Sequence, residues 1–464
     1  MSHNGLDAQP LFQDYTAIIA GCSCVRRKKI KEQMIPRRRD RNRRGTDEIV
    51  ELSVERTGAR GDGIAKQDGE PIFLPFTVAG DRVRARLGAR RGGGREGSVV
   101  EWLETGKGRV NPPCTHFGHC GGCALQHLDE ASYRAVKLGA LYTALERVAI
   151  APGFVQPLRV VSPARRRARV GLIRPRDPSS PARIGFRERF RHELVNIEQC
   201  HVLEPELLRL VGELRLVAGN LMPPGGTAEV TLTRTDSGID LLLYAAKRPG
   251  LAALEAVAEL AENCDLTRVV WRSPGEEILV VERRPVRVVM SGVDVPFPPG
   301  AFLQPSRAAE AILVNEVLSG IGSQRPVLDL FAGLGSFTFA LAGAGPVHAV
   351  DGDEDAIAAL ARAAAHRQDI TVERRDLARD PLPPEALAAY AAAVFDPPRA
   401  GALQQAAALA NSTIATVVAV SCNLATFSRD AARLIAGGFR VERIVPVDQF
   451  VWAPHLELAA VFHR

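Results

Sequence analysis

Two side chains in the last tenth of the sequence could carry covalent chemistry. Cys422 follows an apolar run that reads as a buried strand, and polar residues flank it. A cysteine thiolate is a strong nucleophile that can also leave again, so we predict a nucleophile, the alternative being a buried structural cysteine. Glu457 stands two residues after His455 at the start of the last apolar run. Its carboxylate could remove a proton, although taken alone it reads more simply as a surface carboxylate.

A cofactor motif precedes these two residues. The apolar stretch 327–330 runs into Gly333-x-Gly335, and the next apolar stretch, 347–351, ends in Asp351. Strand, glycine turn, helix and second strand with a terminal acid are typical of a doubly wound α/β sheet that holds a ribose hydroxyl. A third glycine is missing and Asp329 precedes the turn, which favours S-adenosylmethionine over a dinucleotide, because no pyrophosphate has to be held at the helix N-terminus.

Four cysteines form a second candidate site. Cys114, Cys120 and Cys123 lie within ten residues, and Cys200 follows downstream. Eight cysteines in 464 residues are too few for a disulfide scaffold. Four thiolates satisfy a tetrahedral zinc ion as well as an iron–sulfur cluster. The spacing alone therefore leaves both metal centres open.

The elements that position these residues divide the chain into several domains, as its length requires. Residues 46–106 alternate apolar and polar positions between glycine-rich turns, which predicts a small β-barrel of the oligonucleotide-binding (OB) kind. One face would carry a basic stripe suited to RNA, the alternative being a plain barrel with solvated arginines. The stripe consists of Arg82, Arg84, Arg86, Arg90 and Arg91.

Residues 107–284 predict a central α+β domain. Apolar residues at helical spacing between Tyr133 and Val148 indicate an amphipathic helix, and residues 229–243 read as a β-hairpin. Residues 159–191 hold eleven arginines against two acidic residues, which suggests contacts to RNA phosphates. Residues 285–464 alternate strand-like runs with alanine-rich helical ones, the pattern of a doubly wound sheet.

The positive charge of the chain is concentrated near its N-terminus. The net charge is +6, but residues 26–44 alone hold eleven basic and two acidic side chains, so the remainder carries −3. We predict that residues 1–45 form a basic disordered tail, either a nucleic-acid arm or simply solvated. Basic residues follow the apolar stretch 11–22 rather than precede it, and no apolar run reaches roughly 18 residues. A cytoplasmic protein without membrane attachment is therefore expected, with Met34 as an alternative start.

Taken together, five motifs resemble one enzyme family, the uracil-5 RNA methyltransferases. They are the cysteine set and residues 329–337, 395–401, 421–430 and 455–457. The resemblance is closest to the iron–sulfur-containing 23S ribosomal RNA branch and extends over residues 46–464, including an N-terminal barrel of the TRAM type. It implies a multidomain monomer that uses S-adenosylmethionine to methylate C5 of a uridine in RNA through a covalent cysteine–C6 adduct.

The resemblance also implies roles for individual residues. Cys422 would be the nucleophile and Glu457 the base that removes the C5 proton. The ligands of a [4Fe–4S] cluster would be Cys114, Cys120, Cys123 and Cys200. Cofactor contacts would be Gln304, Phe331, Ser336, Asp351, Asp376 and Asp396.

The sequence departs from the family pattern at three places. Ser336 replaces the usual asparagine, Asp351 the frequent glutamate, and Phe450-Val451-Trp452-Ala453 the customary Phe-Pro-x-Thr. The alternatives are a tRNA uracil-5 methyltransferase and a non-catalytic RNA-binding or ribosome-assembly protein. A cytosine-5 methyltransferase is disfavoured, because residues 395–399 contain no second cysteine.

Overall fold

The structure, a computed structural model, describes residues 48–464 except Pro178, Phe190 and His192, together with all side chains in those ranges but that of Arg91. The predicted tail, residues 1–45, lies outside the described residues. The described chain divides into two compact units. The first comprises residues 48–119, 123–137 and 452–454, and the second comprises residues 120–122, 138–451 and 455–464.

The first unit contains a six-stranded sheet in the order β1-β5-β6-β4-β3-β2. Alternate residues of β5, among them Val83, Ala85 and Leu87, are buried in its core. This strand order describes an open six-stranded sheet with β1 and β2 at its two edges. Closure of the sheet into the predicted barrel stays a prediction. The strands are β1 (Ile49–Ser53), β2 (Arg56–Thr57), β3 (Asp62–Gln67), β4 (Glu70–Pro75), β5 (Arg82–Arg91) and β6 (Gly94–Glu104).

The predicted basic stripe on β5 is matched by acidic side chains of neighbouring strands. Arg82 forms ion pairs with Glu51 on β1 and with Glu104 on β6. Arg84 pairs with Glu101 at 3.3 Å and Arg90 with Glu70 at 3.0 Å. Exposed pairs of this kind contribute little stability, but they reduce the net positive charge of the face. The stripe is therefore weaker as an electrostatic platform for RNA than its sequence suggests.

The predicted amphipathic helix begins in the first unit and ends in the second, which also contains a mixed six-stranded sheet in the order β13-β12-β11-β10-β8-β9. Strands β10 and β11 form the predicted hairpin, with Val230 opposite Leu243. One face packs on α2 and α3. The elements are α1 (Glu130–Glu146), β7 (Arg159–Val160), β8 (Arg167–Ile173), β9 (Arg183–Gly185), α2 (Pro205–Leu221), β10 (Thr227–Thr235), β11 (Gly238–Ala245), α3 (Leu251–Asn263), β12 (Leu266–Ser273) and β13 (Glu276–Glu282).

An eight-stranded sheet in the order β18-β17-β16-β19-β20-β22-β21-β7 completes the second unit. Strands β16 to β20 pair in parallel, and β22 runs antiparallel to both β20 and β21. The elements from residue 287 to residue 374 are β14 (Arg287–Met290), β15 (Val293–Pro296), α4 (Arg307–Ile321), β16 (Val327–Leu330), α5 (Thr338–Ala342), β17 (Val347–Asp351), α6 (Glu354–Ala363) and β18 (Ile370–Arg374). They are followed by α7 (Pro384–Leu387), β19 (Ala392–Phe395), α8 (Leu403–Ala410), β20 (Thr416–Ser421), α9 (Leu424–Ala436), β21 (Arg440–Asp448) and β22 (Glu457–His463).

The central parallel strands β19 and β20 are almost entirely apolar and buried because helices cover both faces of the sheet. One core lies on the side of α4 and α6, the other on the side of α8 and α9. The edge strand β7 comes from residues well before the alternating C-terminal pattern, and it pairs in parallel with β21. Within the part of the chain that the structure describes, no helix is long and apolar enough to cross a membrane.

Candidate active site

The two predicted catalytic residues lie at one edge of the eight-stranded sheet. Cys422 directly follows β20, and Glu457 is the first residue of the antiparallel strand β22. Ser421 pairs with Leu458, so one further step along the two strands brings Cys422 opposite Glu457. Asp396 follows the neighbouring strand β19 at the same edge. Strand order and register thus bring together three residues that are far apart in the sequence.

Glu457 is a buried carboxyl group. Its side chain is 2% exposed, which overturns the alternative of a surface carboxylate. Oε2 accepts a hydrogen bond of 2.7 Å from Nε2 of Gln449, whereas Oε1 is buried without a hydrogen-bond partner. Burial and the nearby charge of Asp396 raise the pKa of Glu457 well above its usual range, against the effect of the Gln449 hydrogen bond.

Cys422 is half-buried at the start of α9. The side chain of Asn423 caps this helix by accepting a hydrogen bond from the amide of Ala425, which fixes the turn that carries the thiol. Burial, then the charges of Glu457 and Asp396, raise the pKa of Cys422 from 9.0 to about 11, while the charge of Arg399 acts in the opposite direction. The thiol is therefore protonated in the free protein at neutral pH.

Two glutamines connect the two acids. Gln304 donates from Nε2 to Oδ2 of Asp396 at 3.1 Å, and its Oε1 accepts from Nε2 of Gln449 at 3.0 Å. The same Nε2 of Gln449 donates to Glu457. Burial raises the pKa of Asp396, and the hydrogen bond from Gln304 lowers it. A continuous chain of amide donors therefore runs from one carboxylate to the other.

The glycine turn after β16 leaves room for a cofactor. Phe331 and Gly333 both have positive φ angles, of 62° and 55°. A Cβ on Gly333 would meet no atom within 4 Å, so the space above this backbone is open. The amide of Gly333 donates to Oδ2 of Asp351 at 2.8 Å, which ties the turn to the end of β17. The residues present thus fit a nucleoside cofactor across the ends of β16 and β17.

The other predicted cofactor contacts differ in their surroundings. Ser336 is half-buried, and its hydroxyl donates to Oε1 of Glu310 at 3.1 Å. Glu310 also pairs with the buried guanidinium of Arg166 at 2.7 Å. Asp376 is exposed shortly after β18, and its carboxylate accepts a hydrogen bond from the amide of Ala378.

Asp329 lies beneath the glycine turn. It is completely buried, its Oδ2 accepts a hydrogen bond of 2.5 Å from Thr338, and its Oδ1 has no hydrogen-bond partner. Burial raises its pKa to about 7, with smaller contributions from Asp396 and Asp351. Because no polar partner reaches Oδ1, the charged form of this carboxyl group is costly in the fold.

Comparison with curated proteins decides the family. Over 434 residues the chain is 34% identical to the 23S rRNA (uracil(1939)-C(5))-methyltransferase RlmD of Chromohalobacter salexigens, which covers 89% of each chain. It is also 38% identical over 417 residues to an uncharacterized RNA methyltransferase of Brucella suis, covering 89% of this chain and 98% of the relative. The chain belongs to the RNA (uracil-5-)-methyltransferase family. It is thus an S-adenosylmethionine-dependent enzyme.

Two further comparisons agree with this family assignment. The family model for tRNA (uracil-5-)-methyltransferases matches residues 363–464, which include Asp396, Cys422 and Glu457. Among solved structures, the Pyrococcus abyssi tRNA (uracil-54, C5)-methyltransferase in complex with S-adenosyl-L-homocysteine superimposes with a TM-score of 0.66 at 24% identity. That match covers 89% of this chain and all of the other, and it establishes the shared fold.

The four cysteines predicted as cluster ligands are all half-buried in this methyltransferase. The amide of Cys114 donates to Oε1 of Gln126, and Cys200 packs against the core of the central sheet. Among the residues for which the structure gives positions, no three His, Cys, Asp or Glu side chains are grouped as ligands of a metal ion. The predicted iron–sulfur cluster and its zinc alternative are therefore not supported by the described residues.

Sequence reasoning missed Gln449 and the pair of Arg166 and Glu310. Gln449 directly follows β21 at the catalytic edge, a position that the strand pattern could have singled out. Arg166 belongs to the arginine-rich segment predicted to contact RNA, yet it is 2% exposed and donates from Nε to the backbone oxygen of Gln304 at 2.8 Å. For this arginine the predicted phosphate contact is wrong, because its charge is buried and already paired.

Proposed function

We propose that this methyltransferase transfers a methyl group to C5 of a specific uridine in 23S ribosomal RNA through a covalent adduct between Cys422 and C6 of the uracil. The ribosomal substrate is supported by the likeness to the Chromohalobacter enzyme, whose name gives a 23S rRNA uridine as its target. The adduct is supported by the placement of a thiol opposite a buried carboxyl group.

In this mechanism the Cys422 thiol loses its proton to solvent, the thiolate forms a bond to C6, and the electron pair of the C5–C6 double bond moves to the enolate. S-adenosylmethionine, when bound, supplies an electrophilic methyl group on its sulfonium, which C5 takes while the sulfonium sulfur would leave as a neutral thioether. Glu457 then accepts the C5 proton. Electrons return to form the C5–C6 double bond while the bond from C6 to sulfur breaks, and the thiolate leaves.

One observation carries the proposal: Cys422, Glu457 and Asp396 meet at a single edge of the sheet. A buried acid, a half-buried acid and a half-buried thiol in one place are costly for a structural role, since each group loses hydration. Groups with displaced pKa values in a shared cleft are typical of catalytic sites.

The cofactor contacts remain part of this proposal. Asp351 would contact the ribose hydroxyls, with Phe331 and Ser336 on the turn between β16 and α5 and Asp376 after β18. Gln304 and Asp396, which share a hydrogen bond, would complete the cofactor contacts. The [4Fe–4S] cluster is a prediction of the family resemblance alone, so no step of the reaction is derived from it. The cluster can be tested by measuring the iron and sulfide content of anaerobically purified protein.

Two substitutions test where the reaction stops. Cys422→Ala should form neither adduct nor product, because nothing can add to C6. Glu457→Gln should still add and methylate but cannot remove the C5 proton, so a methylated protein–RNA adduct should accumulate. Denaturing gels with a radiolabelled methyl donor would detect this adduct as a slow band with Glu457→Gln and no band with Cys422→Ala. Turnover of Glu457→Gln at the wild-type rate would remove the base assignment.

The choice of substrate needs a separate measurement. Mapping 5-methyluridine in ribosomal and transfer RNA from a deletion strain would distinguish the ribosomal substrate from tRNA. Loss of the modification from tRNA alone would favour the tRNA alternative. Methyl transfer to neither RNA, together with RNA binding, would favour a ribosome-assembly protein.

A further inference from the structure

Gln449 occupies an unusual position at the catalytic edge. It directly follows β21, its side chain is 6% exposed, and one nitrogen, Nε2, donates both to Oε2 of Glu457 at 2.7 Å and to Oε1 of Gln304 at 3.0 Å. Its own Oε1 is buried without a hydrogen-bond partner. A buried amide oxygen left without a donor costs free energy, so the placement of Nε2 is maintained against a penalty.

These contacts determine the orientation of a neighbouring amide. Because Oε1 of Gln304 faces Gln449, Nε2 of Gln304 must face Asp396, where it donates at 3.1 Å. Reversal of the Gln304 amide would place two donors against each other and its oxygen against a carboxylate. Gln449 therefore fixes which end of the Gln304 amide is turned towards Asp396.

The same contact distinguishes the two oxygens of Glu457. Oε2 is occupied by Gln449, whereas Oε1 is buried and has no hydrogen-bond partner. A proton acceptor needs a lone pair that no donor already engages. Oε1 has no donor in this structure, whereas Oε2 already accepts a hydrogen bond from Gln449, so Oε1 is the oxygen better suited to accept the proton.

We propose that Gln449 is a positioning residue for the general base: it holds Oε2 of Glu457, leaves Oε1 to accept the C5 proton, and ties the base to the cofactor-side amide of Gln304. This inference rests on the proposed role of Glu457 as the base. Gln449 touches neither reacting atom, so it acts through Glu457 and Gln304 alone.

The electrostatics of the site agree with this role. A hydrogen bond donated to a carboxylate favours its charged form, and Gln449 supplies such a bond against burial and the charge of Asp396. Without this donor Glu457 would be protonated over a wider pH range and would be unable to accept a proton. The charged groups that act on Glu457 and Cys422 are Asp396 and Arg399, and Glu457 itself acts on Cys422.

The test is Gln449→Met, which keeps the length of the side chain and removes the donor. A hydrogen bond to a charged group is worth enough to move a pKa by about one to two units. The rate at which the methylated RNA is released from the adduct should fall at acidic pH, and we call this fall the acidic limb. We expect the acidic limb to move to higher pH by about one to two units. Turnover at neutral pH should fall roughly ten- to hundred-fold and should recover at alkaline pH. A methylated protein–RNA adduct should accumulate at neutral pH.

Gln405→Met is the matched control. Gln405 is also a buried glutamine, but its side chain bonds to the backbone of Leu382 and not to the catalytic residues. We expect this variant to lower the thermal unfolding temperature without moving the acidic limb. A structural role for Gln449 would make the two variants behave alike.

The outcomes separate the inference from the proposed function. If Glu457→Gln traps the adduct while Gln449→Met leaves the acidic limb unchanged, the inference is overturned and the base assignment stands. If Glu457→Gln traps nothing, the base assignment fails first. Should Gln449→Met not fold, Gln449→Asn, whose amide is one methylene short of Glu457, replaces it. An unshifted limb in that variant likewise overturns the inference.

Discussion

Cys422 should react with a small alkylating reagent about a hundred times more slowly than an ordinary protein thiol. The reactive species is the thiolate, and the pKa of this thiol is raised from 9.0 to about 11. Two pKa units reduce the thiolate fraction roughly a hundred-fold at any pH well below 9. The rate should rise about tenfold per pH unit and level off only near pH 11.

A substitution separates two of the causes. Glu457→Gln removes a neighbouring group whose charge raises the pKa of Cys422, while burial and Asp396 remain. The pKa of the thiol should therefore fall to a value between 9.0 and about 11, and alkylation at pH 8 should accelerate several-fold. Arg399→Ala removes a positive charge that lowers the pKa of Cys422, so this substitution should slow alkylation.

The assay is iodoacetamide labelling over a range of pH, followed by mass spectrometry of the peptide that contains Cys422. Peptide analysis separates this thiol from Cys264 and the other cysteines, and Cys422→Ala supplies the blank. A wild-type rate that levels off near pH 9 would refute the reasoning, since neither burial nor the two acids would then act on the thiol.

Two further substitutions test buried charges in the second unit. Arg166→Met leaves Glu310 partly buried without its cation, so we expect the unfolding free energy to fall by roughly 3 kcal/mol or more, measured by urea denaturation with Arg166→Lys as the conservative control. Asp329 has a folded-state pKa of about 7, above its unfolded value of 3.8. Its contribution to stability is therefore present at low pH and is lost as the pH rises from about 4 to 7, at up to about 1.4 kcal/mol per pH unit. Asp329→Asn should flatten this part of the stability–pH curve, and an unchanged curve would contradict the raised pKa.

Much of the fold could be predicted because local patterns specify local structure. The helical spacing after Tyr133 gave α1, the turn at residues 236–238 gave the β10–β11 hairpin, and the alternation after residue 285 gave most of the parallel sheet. Strand β7 could not be found in this way, because two residues carry no periodicity and are defined only by pairing with β21.

The sequence alone determined which side chains are available for chemistry. Cys422 and Asp396 each follow an apolar run, and the carboxyl ends of parallel strands face one edge of the sheet, whereas Glu457 begins an apolar run. Residue type and strand pattern therefore singled out Cys422, and the family resemblance was needed to single out Glu457 as the base.

Only the tertiary structure decided the environment of these side chains. Glu457 reads as a surface carboxylate in the sequence and is buried in the fold, and Arg166 reads as an RNA contact and lies beneath Gln304. Gln449 follows the end of a strand, but its importance comes from two hydrogen bonds to residues 8 and 145 positions away, which the sequence does not show. Burial, pKa and hydrogen-bond partners depend on distances between segments remote in the chain, and these distances exist only once the sheet has formed.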